Sequence, residues 1–91
     1  MATWKPYARQ DDHAVNSKDD LPESAFAFPK QRKEPMTDET HVRNALARFN
    51  QVENVSDEDR ELAFANIRKA AAYYGVQISE DNWRDLGRSP V

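Results

Sequence analysis

The chain has 91 residues and a mass of 10.5 kDa, enough for one small domain. Thirteen Lys and Arg against 16 Asp and Glu leave a net charge of −3, which excludes a strongly basic nucleic-acid coat protein and a purely acidic tail. The absence of cysteine excludes disulfides, thiol catalysis and zinc–thiolate sites.

No apolar run approaches the roughly 18 residues that a membrane span needs. Met1 to Pro6 shows no apolar core of a secretory signal, so a cytoplasmic protein is expected. Residues 8–20 are mostly polar and lack periodicity, which predicts a flexible N-terminal segment over 1–20. Leu21 to Pro29 is different, because it gathers apolar residues between two prolines. It fits either one helical turn after Pro22 or an extended strip. In both cases Leu21, Phe26 and Phe28 supply core to a chain that buries only about 60% of its unfolded surface.

Hydrophobic periodicity is confined to the second half. Thr37 reads as an N-cap, and Val42, Ala45, Leu46 and Phe49 fall at i, i+3, i+4 and i+7, which predicts a helix over 38–50. Ser56-Asp57-Glu58-Asp59 is a loose capping box, Phe64, Ile67, Ala71 and Tyr74 form a stripe, and Gly75 suits a left-handed C-terminus. The second helix is therefore expected over 57–74, and the short connection makes the two helices neighbours. Val76 and Ile78 are expected to fold back as a clasp. Ser79 is read as the cap of a last helix over 80–86, before a frayed tail at 88–91. The fold class expected is mainly α: a small helical domain over 21–87. An antiparallel helix hairpin forms its centre, the N-terminal strip packs across it, and a short C-terminal helix closes one side.

Three stretches together resemble a known family. They are Leu21-Pro22-Glu23-Ser24-Ala25-Phe26-Ala27-Phe28, then His41-Val42-Arg43-Asn44-Ala45-Leu46-Ala47-Arg48-Phe49, then Ala70-Ala71-Ala72-Tyr73-Tyr74-Gly75-Val76 after Ile67-Arg68. They look like a small domain of unknown function found in bacteriophages, prophages and bacterial genomes. It occurs as a stand-alone protein or as a terminal segment of larger phage proteins. The resemblance covers residues 20–78 and implies a phage-related ancestry. It carries over no catalytic residue. Trp4, Tyr7 and the tail from Ser79, with Trp83, lie outside it.

Candidate sites are few. His13 and His41 are the only histidines, and a metal needs three or four converging ligands, so neither metal nor cofactor is expected. No nucleophile–base pair stands out; Ser24 lacks the glycines of a nucleophile elbow, and an enzyme is not expected. Asp57, Glu58, Asp59 and Glu61 are acidic enough for a cation, but they lack a calcium-loop register and suit the helix dipole. Lys30, Arg32, Lys33, Arg43 and Arg48 make a small basic set, the basis of an alternative reading as a weak nucleic-acid-binding accessory protein. Phe26, Phe28, Tyr73, Tyr74 and Trp83 are the aromatic set. Tyr73 and Tyr74 are adjacent on one helix and cannot both occupy the centre of its stripe. One is therefore expected at a partner-binding surface, or under the last helix with Trp83. The first functional reading is a non-enzymatic protein-interaction module that docks on a partner or self-associates.

Overall fold

The longest element is α2, Asp57–Tyr74, and its ends explain its length. Ser56 Oγ accepts from the Asp59 N–H at 3.1 Å while the Asp59 carboxylate accepts from the Ser56 N–H at 3.1 Å. This reciprocal capping box satisfies two N–H groups that a helix start leaves unpaired. Three acids occupy the first turn, where the helix dipole favours them. Gly75 ends the helix at φ +76°, a conformation that L side chains resist. These bounds match the capping signals in the sequence. The structure, a computed structural model, describes residues 2–6 and 21–86.

The remaining elements correct the helical reading. A single 3-10 turn, Glu23–Ala25, leads into strand β1, Phe26–Phe28, which pairs antiparallel with β2, Lys33–Pro35. The register sets Phe26 opposite Pro35 and Phe28 opposite Lys33. Helix α1, Glu39–Arg48, follows and tightens into a 3-10 turn at Phe49–Gln51. The molecule is therefore a small α/β domain. The mainly α domain centred on a helix hairpin is overturned, because a β-hairpin is packed against both helices and β1 lies most extensively on α2.

The hairpin turn contains neither glycine nor asparagine. Arg32 adopts φ +53° there, which costs a side chain about 1–2 kcal/mol. Its guanidinium offsets this by donating to the Leu21 carbonyl at 2.6 Å and lying 4.8 Å over the Phe26 ring.

The helix expected over 80–86 is also corrected. It shrinks to one 3-10 turn, Trp83–Asp85. The Asn82 side chain caps the turn by accepting from the Arg84 N–H at 2.9 Å, and the helical conformation ends at Asp85. Leu86 then runs extended and is buried, with its carbonyl held by Asn50 Nδ2 at 2.7 Å. The first helix is capped by Asp38 rather than Thr37, with the carboxylate accepting from the His41 N–H at 2.8 Å.

Phe49 is the hub of the core. Its ring meets Phe28 at 5.5 Å, Phe64 at 6.3 Å and Trp83 at 6.1 Å between centroids. Each large side chain buried this way contributes about 1.5–3 kcal/mol. Trp4 belongs to the same core and is fully buried, although the sequence places it in the flexible segment. Of that segment, residues 7–20 lie outside the described residues, as does the expected tail at 88–91. Among the described residues no helix is long and apolar enough to cross a membrane.

Candidate interaction surface

The C-terminal turns of α2 set Tyr73 and Tyr74 side by side, about 100° apart around the helix. Tyr74 turns inward, and its hydroxyl donates to the Thr37 carbonyl at 3.0 Å. Burial pushes its phenol above the ordinary value of 10.0. Tyr73 turns outward and is 63% exposed, the most exposed large hydrophobic side chain described. Its ring stands perpendicular to Tyr74 at 4.9 Å and edge-on to Trp4 at 5.8 Å. Trp4 also meets Tyr74 at 5.8 Å, so the exposed ring rests on two aromatic supports.

Trp4 is itself held by polar contacts. Its indole N–H donates to the Met36 carbonyl at 3.1 Å. The Asn66 carboxamide oxygen accepts from the N–H of both Thr3 and Trp4, at 2.7 and 2.8 Å. Asn66 Nδ2 donates to the Ala27 carbonyl at 2.9 Å, tying α2, β1 and the N-terminal arm together. Asn66 is fully buried, the only polar residue in the described core. Burying a carboxamide is tolerable only with its partners in place. The sequence carried a signal for it. Asn66 interrupts an otherwise apolar set at 63, 67 and 70, and a polar residue on an apolar face needs a buried partner.

The other aromatic candidates are not gathered at this surface. Phe26 and Phe28 are core, at 0% and 1% exposure. Of the two alternatives for the tyrosine pair, cover by Trp83 is not the one found, since the tyrosine rings meet Trp4 and each other. Trp83 packs on Phe49, donates to Glu61 Oε1 at 2.8 Å and lies 4.3 Å under the Arg84 guanidinium.

The basic candidates are dispersed among local partners. Lys30 faces Asp59 at 3.9 Å, Arg32 is bound to Leu21 and Phe26, and Arg43 pairs with Glu39 at 3.6 Å one helical turn away. Lys33 and Arg48 do line one cleft, together with Glu34 and Glu53. His41 lies in the first turn of α1. Its Nδ1 lies 2.7 Å from the capping Asp38 carboxylate, whose pKa is lowered chiefly by the His41 backbone N–H. Three of the four acids at the start of α2, Asp57, Asp59 and Glu61, meet donors within the chain. Asp59 bonds Ser56, Gln31 and Lys30, while Asp57 and Glu61 meet Arg84 at 3.3 and 3.7 Å.

A family model, described as a family of unknown function (DUF6582), matches residues 4–81. No curated protein matches the chain, and no solved structure does. The match takes in Trp4, so the arm lies inside the shared region rather than beyond it, while Trp83 falls outside.

Proposed function

The chain belongs to this family of unknown function, and from that premise we propose that it is a non-enzymatic protein-interaction module of phage-related descent, acting in the cytoplasm. One observation carries the reading: Tyr73 is 63% exposed on a rigid base of Trp4 and Tyr74. A large ring held at the surface in one orientation loses little entropy on binding, which is why tyrosine serves as an interface anchor. The resemblance of the 21–28, 41–49 and 67–76 stretches supports the phage setting.

The test is site-specific photo-crosslinking from position 73, compared with position 47, an exposed site on α1. Discrete adducts from 73 and none from 47 are expected. Equal patterns from both positions, or none from either, overturn the reading.

The second reading, a weak nucleic-acid-binding accessory, has one observation in its favour, the cleft shared by Lys33 and Arg48. Its carboxylates Glu34 and Glu53 oppose a polyanion. Binding to a short DNA duplex at low salt that survives Arg43→Ala plus Arg48→Ala removes the assignment.

A further inference from the structure

The arm is seated as a bound peptide would be. Thr3 and Trp4 give their N–H groups to Asn66, and Lys5 gives its N–H to the Ser24 carbonyl at 3.0 Å. The Trp4 ring fills a pocket against Tyr73 and Tyr74, and its indole N–H is read by Met36. Main-chain bonds give such a seat affinity and the side-chain pocket gives it specificity. Every one of these contacts is remote in sequence: Asn66 is 63 residues from Thr3, and Met36 is 32 from Trp4.

We propose that this seat also takes residues 3–5 of a second copy of the chain, so that two copies exchange arms. The reading rests on the interaction-module reading, with self-association as its form. Pro6 is joined to Leu21 by the 14 residues 7–20. At full extension that connection reaches about 50 Å, more than the 44 Å longest extent of the molecule. The arm of one copy therefore reaches the seat of another without altering the seat. Exchange makes no new kind of contact, which is what makes it a low-cost route to a dimer. The second body beside the exchanged arm lies next to Tyr73, the ring that touches Trp4 and is exposed in a single copy.

Concentration sets which seating wins. A short tether gives an arm an effective concentration on the order of millimolar at its own seat. Self-seating therefore prevails in dilute solution, and exchange grows as the protein is concentrated or refolded at high concentration.

The experiment uses the full chain, which has no cysteine to interfere with labelling. Copies with a donor dye at Ala2→Cys are mixed with copies bearing an acceptor at Lys69→Cys, one turn from Asn66, and are refolded together at rising concentration. Energy transfer that rises with concentration is expected. Trp4→Ala in the arm-donating copy should abolish it. Trp4→Ala in the seat copy should preserve or raise it, because that copy no longer fills its own seat. Asn66→Ala should show the reverse asymmetry. If Trp4→Ala compromises folding, Lys5→Pro in the donor copy removes the bond to Ser24 while keeping the indole, and the same asymmetry is expected. No transfer at any concentration overturns arm exchange. Transfer that falls equally whichever copy carries the substitution also overturns it, while leaving association through Tyr73 intact. Photo-crosslinking from position 73 of the otherwise unsubstituted chain, run in parallel, reports on that interaction separately.

Discussion

The two tryptophans stand near opposite ends of the chain and are secured in opposite ways. Trp4 is fully buried, and its indole N–H meets a backbone carbonyl inside the core. Trp83 is half-buried, and its indole N–H meets the Glu61 carboxylate at the surface, under the Arg84 guanidinium. Trp4 has a polar sequence around it and no helix or strand to carry it. Trp83 sits beside the end of a recognisable hydrophobic pattern. Depth is therefore decided by the seat and not by the neighbourhood in sequence. Asn66 turns an arm without secondary structure into core, whereas the carboxylates at the start of α2 hold Trp83 only as a cover.

The largest expected effect breaks the first half of that comparison. Trp4→Ala should cost about 3–5 kcal/mol in urea unfolding, a large share of the 5–15 kcal/mol typical of whole domains. Trp83→Ala should cost roughly 1–2 kcal/mol, since a half-buried ring loses less area. Equal losses would show that the two ends are equivalent after all. Asn66→Leu comes next. It leaves the N–H groups of Thr3 and Trp4 and the Ala27 carbonyl without their partner, at about 2–3 kcal/mol. A cost near zero would mean that burial alone seats the arm.

A pH dependence sharpens the other half. The Asp59 pKa lies below its ordinary 3.8, chiefly because its carboxylate accepts from the Ser56 N–H, with Gln31 and Lys30 adding to it. A lowered folded pKa means stability that is present above the unfolded value and lost as pH falls through the folded one. The melting temperature should therefore drop below pH 4, and Asp59→Asn should flatten that drop while lowering stability at pH 7. A melting curve of Asp59→Asn that keeps the full acid dependence would assign the effect elsewhere. The smallest effect is expected at Tyr73→Ser. Its stability should stay within about 0.5–1 kcal/mol of the parent, because an exposed ring has little burial to lose. A larger loss would show that the Trp4 seat depends on Tyr73 as well as on Tyr74 and Asn66.

Legibility in the sequence followed the same divide. Helix α2 was readable because Ser56, the acidic first turn, the stripe and Gly75 are contiguous and agree. The β-hairpin was not readable. Phe26, Ala27 and Phe28 are all buried, so β1 shows no alternation, and β2 is Lys33-Glu34-Pro35, with a proline and no apolar face. The turn relies on Arg32 and its contacts to Leu21 and Phe26 in place of a glycine. Trp83 and Leu86 mimic helical spacing across a single turn, so the sequence suggests a longer helix than the 3-10 turn that forms. At the candidate surface, the adjacency of Tyr73 and Tyr74 on α2 made one exposed tyrosine foreseeable. Its support by Trp4 was not, because that contact spans nearly the whole described chain.

The bond between Thr3 and Asn66 also has a consequence for synthesis. The arm is synthesised before its seat, which is made more than sixty residues later. At about 5–20 residues per second, Trp4 waits several seconds with its indole in water before α2 emerges to receive it. During that interval the most hydrophobic side chain of the arm is available to anything nearby, including a finished neighbour on the same message.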